Sequence, residues 1–325
     1  MTFTPPTRRQ VLQGGVALAA TGAAGVWAQS GPAEEQVPLW PGRPPGHRGA
    51  TIVRKVEDKS RDPARTDRWI TGVAEPVMTV RRPARPNGSA VLVVPGGGYG
   101  FLSYDNEGVS QADWLNARGI TAFILSYRLP AEGWDRRALV PLQDAQRAMR
   151  LIRAGAARYG IDPARVAVLG FSAGGHLAGS LATRHGERVY QPVDPADRLS
   201  ARPDLAGLVY PVVSLEAGFT HGGSRDKLLG PGASAEALRA ASVDRRVGPD
   251  TPPVFMIHAS DDTVVPVANS LTLYSAMLAA ARPAELHVFD EGGHGFGVRL
   301  PRATPAAVWP ELFHAYGVRR RVFRA

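Results

Sequence analysis

Cysteine is absent from the 325 residues. That excludes a disulfide framework, a thiolate metal site and a sulfur nucleophile. A basic tract is missing as well: Lys and Arg number 38 against 29 Asp and Glu, for a formal charge of +9, yet no five basic residues stand together. With no nucleic-acid motif either, the excess reads as scattered arginine, and no nucleic-acid partner is expected. No internal repeat and no second strand-helix series is found, which argues for one domain. No stretch supplies the roughly 20 consecutive apolar residues that span a bilayer. What is present is ordinary globular material, 44% hydrophobic and 21% charged, enough for a sizeable core and too apolar for a disordered chain.

The first segment reads as an address. Thr7-Arg8-Arg9-Gln10-Val11-Leu12 precedes an apolar, small-residue run over 14–27 and the small residue Ala28. An arginine pair, a short apolar region and a small residue at the cut resemble a twin-arginine export signal. Residues 1–28 are therefore expected to be a signal peptide, and the mature protein periplasmic or secreted, without stable membrane insertion. Residues 29–49, rich in Pro and Gly, are expected to be an extended lead-in outside the core. The sequon Asn87-Gly88-Ser89 is read as a turn.

From residue 50 to 325, short β-branched runs alternate with longer helical patterns, which predicts parallel βαβ units in a single α/β domain. Strands are expected at 51–56, 77–81, 90–94, 121–126, 166–169, 205–213, 254–258 and 286–289, about eight in a mostly parallel sheet with helices on both faces. The runs 91–94 and 166–169 are almost wholly apolar and belong at its centre. Helices are expected at 109–118, 141–159, from Ser172 onward, at 266–281 and at 305–316. The polar, Gly-rich stretch 216–248 is too small for a domain and reads as an insertion able to overhang a site.

Gly170-Phe171-Ser172-Ala173-Gly174-Gly175-His176 follows the strand at 166–169 and contains G-x-S-x-G. In that nucleophile elbow a serine occupies a sharp strand-to-helix turn, and glycines are needed where neighbouring backbones pass closely. A serine hydroxyl is a poor nucleophile unless a base lies within hydrogen-bond reach and a third group orients the base. Ser260-Asp261-Asp262-Thr263-Val264-Val265-Pro266 supplies acids after one strand, and Glu291-Gly292-Gly293-His294-Gly295-Phe296 an imidazole after the last. Ser, acid, His is the chain order of α/β-hydrolases. Ser172 is assigned as nucleophile, His294 as base and Asp262 as orienting acid, with Asp261 shaping the turn. His176, His258 and His221 are poorer bases, lying in the elbow helix, in a strand and on the insertion. Pro95-Gly96-Gly97-Gly98-Tyr99 directly follows the strand at 90–94, where the second half of an oxyanion hole belongs; a phosphate loop is excluded because no Lys-Ser/Thr closes it. Gly97 or Gly98 and Ala173 are the expected amide donors.

These stretches resemble bacterial α/β-hydrolases related to acetyl-xylan and feruloyl esterases, often described as carbohydrate acetyl esterases. The resemblance is carried by PGGGYGFLSYDNEG (95–108), WLNARGITAFILSYRLP (114–130), PLQDAQRAMRLIR (141–153), GIDPARVAVLGFSAGGHLA (160–178), RPDLAGLVYPVVS (202–214), DDTVVPVANS (261–270) and PAELHVFDEGGHGFG (283–297). Pro95 stands where hormone-sensitive-type lipases carry histidine, which separates the chain from that branch. The resemblance implies hydrolysis of acetyl groups from plant cell-wall or related glycans, a small-molecule or glycan ester as substrate, and neither cofactor nor metal. The positive field would favour encounter with uronate-bearing polysaccharides. Tyr99, Phe101 and Tyr104 either stack on a sugar or pack the loop. Trp134 and Trp309 are expected to pack, and Asp144 to bond the loop near Arg128. Peptide hydrolysis on the same fold is the alternative activity, disfavoured because such peptidases carry a large N-terminal gating domain. A non-catalytic binding module is the alternative class, disfavoured because every triad member is present.

Overall fold

Strand order follows from which runs bury both faces. Among the residues that the computed structural model describes, Thr2 and 34–324 apart from 50, 61 and 217, eight strands form the main sheet. They are β1 (Glu35–Pro38), β4 (Val77–Arg81), β7 (Thr121–Ser126), β5 (Ala90–Val94), β8 (Val166–Phe171), β9 (Leu205–Val209), β10 (Val254–Ala259) and β11 (Ala284–Phe289), in that order across the sheet. From β7 to β11 every pairing is parallel, while β4 and β1 add antiparallel at one edge. Strands β5 and β8 are wholly buried and central, because both faces of a parallel sheet are covered by helices and only apolar runs fit there. The arrangement is the mostly parallel α/β sheet that the alternation predicts, in the α/β-hydrolase architecture that the elbow motif and the resemblance imply. The expected signal segment lies outside the described residues, Thr2 apart.

Two expectations near the start are corrected. Residues 35–40, read as part of a lead-in outside the core, place β1 in register against β4, and Leu39 and Trp40 behind it are buried. The Trp40 indole donates to Asp144 Oδ1 at 2.9 Å, a bond made possible because Asp144 also carries the buried Arg128 guanidinium. The compact unit accordingly begins at Glu34. The strand expected at 51–56 is instead β2 (Lys55–Asp58), whose four residues are exposed; with no apolar face to bury, it joins β3 (Arg68–Thr71) and β6 (Leu102–Ser103) in a small antiparallel sheet.

The helices lie close to their expected positions: α1 (Ser110–Asn116), α2 (Val140–Ala154), α3 (Ala156–Tyr159), α4 (Ser172–Arg184), α7 (Ala268–Ala279) and α8 (Trp309–Arg319). A single π-turn, Asp105–Val109, runs into α1. The insertion is more regular than its composition suggests, holding α5 (Gly222–Leu229) and α6 (Ala235–Ala241). Ser234 caps α6 by accepting from the Ala237 amide, as a serine at that position should. Trp134 and Trp309 are buried, as expected, and Asp144 holds the Arg128 backbone amide at 2.9 Å.

Candidate active site

The carboxyl ends of β5, β8, β10 and β11 all open on one edge of the sheet, so loops distant in the chain meet there. Ser172 is the first residue of α4 and has φ 51°, a left-handed conformation that costs a non-glycine residue energy and is held only by its surroundings. The surroundings are tight. A Cβ at Gly170 would run into the Gly174 carbonyl and the Ala178 methyl, and one at Gly174 into the carbonyls of Val94 and Pro95. The two motif glycines thus let the nucleophile helix pack against β5 and push the Ser172 hydroxyl outward.

His294 Nε2 stands 2.9 Å from Ser172 Oγ, and His294 Nδ1 stands 2.7 Å from Asp262 Oδ2. An ionised carboxylate accepts at Nδ1, which leaves Nε2 unprotonated and ready to take the serine proton. Asp262 Oδ1 accepts from the amides of Val264 and Val265, each at 2.9 Å. Burial alone would raise the Asp262 carboxyl; contacts with His258 and His294 and the Val265 amide outweigh it and hold the group well below the usual carboxylate range. Asp261 takes the turn-shaping role expected of it, accepting from the Gly293 amide at 2.7 Å and so fixing the loop that carries His294.

Ser172, His294, Gly97, Gly98, Phe101 and His221 border one pocket of about 350 Å³. The Gly96 amide is taken, donating to Glu107 Oε2 at 2.8 Å. The amides of Gly97 and Gly98 make no hydrogen bond among the described residues, and both residues border the same pocket as Ser172. The Ala173 amide lies in the first turn of α4, where helix N–H groups have no partner within the helix and the dipole favours negative charge. These amides are the candidate donors to an oxyanion forming on a carbonyl attacked by Ser172.

Two of the three aromatic residues proposed as substrate contacts are corrected. Tyr99 and Tyr104 are buried, the first pairing its hydroxyl with His176 Nδ1 at 2.8 Å and the second donating to Thr79 Oγ1 at 2.8 Å. Both pack the loop from behind because their hydroxyls find partners beneath it, on α4 and β4. Phe101 faces the pocket.

The residues that sequence reasoning missed are mostly buried polar groups. Glu107, inside the π-turn, is fully enclosed; it accepts from the Gly96 amide and from the Tyr210 hydroxyl, while the Gly297 amide donates to that same hydroxyl at 3.0 Å. One carboxyl group therefore ties the oxyanion loop to the histidine loop. Burial raises its pKa, partly offset by those two donors. Glu107→Ala would leave two buried donors unpaired, at about 1–3 kcal/mol each. We expect a drop of about 3 kcal/mol or more in urea unfolding together with lower kcat; unchanged stability would mean that the network carries no weight. His258, on β10, lies 3.3 Å from Asp262 Oδ2 through Nε2, which also contacts the Val265 carbonyl at 2.7 Å. The only hint was its position four residues before the acid.

His176 shows why the elbow helix carries a histidine that is not a base. Its Nε2 donates to the Ala241 carbonyl at 2.9 Å, so Nδ1 must accept from the Tyr99 hydroxyl. The ring joins the oxyanion loop, the nucleophile helix and the insertion. Burial pushes its pKa down to about 4. Between the ordinary histidine value of about 6.5 and pH 4, the unfolded chain binds a proton that the folded one refuses. Stability should thus be complete above pH 6.5, fall as the pH drops toward 4, and level off below, with a loss of about 3 kcal/mol at most from this group. Urea unfolding at pH 7 and pH 4.5 should show a smaller difference in His176→Asn than in the unaltered protein; equal differences would contradict the assignment.

Fold and site together define a serine hydrolase of the α/β-hydrolase type. Residues 80–277 match the BD-FAE family model, and the chain belongs to that family. It is 36% identical over 227 residues to an acetylxylan esterase of Xylanibacter ruminicola, covering 66% of this chain and 42% of that protein. It is 38% identical over 208 residues to endo-1,4-beta-xylanase B of Butyrivibrio fibrisolvens, covering 64% and 32%. The chain thus spans less than half the length of either relative. Among solved structures, an acetyl ester-xyloside bifunctional hydrolase from Caldicellulosiruptor lactoaceticus superposes with a TM-score of 0.73 at 34% identity, over 90% of this chain and 98% of that one. The Lactobacillus plantarum carboxylesterase Cest-2923, at 22% identity and a TM-score of 0.63 over 83% of this chain and 99% of that one, shares the fold.

Proposed function

We propose that the protein is an exported carboxylic ester hydrolase that removes acetyl groups from plant cell-wall or related glycans through an acyl-enzyme. The observation carrying this reading is the continuous series Asp262 Oδ2, His294 Nδ1, His294 Nε2, Ser172 Oγ, with contacts of 2.7 and 2.9 Å, beside open amides. His294 takes the Ser172 proton as Oγ attacks the ester carbonyl. Ala173 and Gly97 or Gly98 donate to the oxyanion. The tetrahedral intermediate collapses as His294 returns the proton to the departing sugar oxygen. Water, deprotonated by His294, then attacks the acyl-enzyme, releasing acetate and restoring the serine hydroxyl. Ester, water and these side chains supply every proton and electron pair moved, so the cycle runs without metal or cofactor.

The names of the relatives, an acetylxylan esterase and an acetyl ester-xyloside hydrolase, support acetylated xylan-type glycans as the substrate class. The arginine pair and the small-residue run ending at Ala28 support twin-arginine export to the periplasm or beyond, and N-terminal sequencing of exported protein should begin at Gln29. The function is tested by offering purified protein acetylated xylan, acetylated monosaccharides, feruloyl esters and short 4-nitrophenyl esters. Acetate release from the glycans is expected. Hydrolysis confined to feruloyl esters would overturn the substrate class.

A further inference from the structure

The geometry points to His221 as a third donor to the oxyanion, a neutral imidazole that brings its Nε2 proton to the Gly98 side of the pocket. It rests on the esterase reading above and adds a residue to that same site.

His221 is the N-cap of α5, the first helix of the insertion. Its Nδ1 accepts from the Ser224 amide at 3.2 Å and lies 2.8 Å from Ser224 Oγ, with Ser224 itself buried. A backbone N–H can only donate, so Nδ1 keeps its lone pair and the proton of the neutral ring sits on Nε2. The cap is held from both sides. Asn269 Nδ2 donates to the Phe219 carbonyl at 3.1 Å just before the helix, and Arg137 Nη2 donates to the Asp226 carbonyl at 3.3 Å near its end.

Nε2 has no partner among the described residues, yet it is not sealed from solvent, so a ligand atom can reach it. His221 borders the pocket that holds Ser172 and His294. A Cβ on Gly98 would lie 3.7 Å from His221 Cε1 and 4.0 Å from Ser224 Oγ, which sets the ring edge next to a glycine with an open amide. Protonation of the ring is opposed: a proton on Nδ1 would break the cap and put a cation at a helix N-terminus. Burial and the nearby His294 act in the same direction, holding the pKa below the ordinary histidine value against a smaller opposite pull from Asp262. An imidazole kept neutral at a helix N-terminus is suited to polarise a carbonyl.

An acetyl ester offers such a donor few acceptors. Its methyl has none, and its alkoxy oxygen takes the proton that His294 returns. The carbonyl oxygen has two lone pairs in the ester and a third once Ser172 has attacked. Ala173 and one loop glycine match the first two, so a further donor beside Gly98 is matched only in the tetrahedral state. A contact of that kind lowers the barrier without tightening substrate binding.

Two substitutions separate the donor from the cap. His221→Asn keeps a side-chain oxygen for the Ser224 amide, asparagine being among the best N-caps, and removes the Nε2 proton. His221→Gln reaches as far as Nε2 with an N–H and gives up the cap. With 4-nitrophenyl acetate, His221→Asn should lower kcat by about 10²-fold at nearly unchanged KM and unchanged urea midpoint. His221→Gln should recover most of kcat at a lower urea midpoint. The affinity of a trifluoromethyl ketone, whose adduct with Ser172 carries the oxyanion, should fall in His221→Asn by the same factor as kcat. Unchanged kcat in His221→Asn would overturn the assignment. An equal fall in both variants would overturn it too, since the ring's packing would then be what matters. A loss confined to acetylated glycans, sparing 4-nitrophenyl acetate, would move the contact to the alcohol half and contradict an oxyanion donor. Each of these outcomes leaves the esterase reading intact; absence of turnover on every ester by the unaltered protein contradicts that reading itself.

Discussion

Replacing Ser172 by alanine should reduce kcat for 4-nitrophenyl acetate by about 10⁴–10⁶-fold while leaving the urea unfolding curve almost unchanged. The size of the loss follows from the geometry. His294 Nε2 has Ser172 Oγ as its hydrogen-bonding partner at 2.9 Å, so without the hydroxyl the imidazole can only assist water directly. What remains is the help of the oxyanion donors and of substrate binding, typically about 10³–10⁴ over water in triad hydrolases. The fold should tolerate the change because the serine side chain is otherwise uncommitted, and removing its Oγ leaves the tight packing around Gly170 and Gly174 as it was. Activity within tenfold of the unaltered protein would remove Ser172 from the mechanism.

Asp262→Asn should cost about 10⁴ in kcat for a different reason. The carboxylate accepts from His294 Nδ1 at 2.7 Å; an amide nitrogen in that place meets N–H with N–H and favours the opposite imidazole tautomer, whose Nε2 carries a proton and cannot take another. His258, 3.3 Å from the same oxygen, gives the amide no better orientation. The ionised form of Asp262 is held well below the usual carboxylate range, burial being outweighed by its contacts with His258 and His294. Above the ordinary carboxylate value its stabilising contribution is whole, and it disappears only in strong acid as the pH falls through the depressed value. The carboxylate therefore stays ionised throughout pH 5–8 and contributes no limb to kcat/KM there. Nearly full activity in Asp262→Asn would contradict the orienting role.

How far the sequence could be read depends on which kind of constraint each residue obeys. Strands β5 and β8 and the elbow between β8 and α4 were readable because burial on both faces demands unbroken apolar runs and because close backbone approach demands glycine. The triad followed from chain order, since each member sits directly after a strand that can be recognised. Glu107 could not be found that way. An acid in a loop ordinarily faces water, and its enclosure depends on Gly96, Tyr210 and Gly297 arriving from three separate segments. Tyr99 and Tyr104 misled for the converse reason: aromatic residues in a site loop look exposed until their hydroxyls find His176 and Thr79. The strand Glu35–Pro38 was hidden by a Pro-rich setting. An edge strand tolerates proline because one row of its hydrogen bonds faces no neighbour.

The central claim is that Ser172, activated by His294, becomes covalently acylated. Intact-mass and peptide mass spectrometry after treatment with a fluorophosphonate tests it most directly. One adduct per chain, located on Ser172, slowed strongly in His294→Ala and absent in Ser172→Ala, is the predicted result. Folded protein that takes up no adduct, or takes it up elsewhere, would contradict the account and favour a binding module on a hydrolase fold.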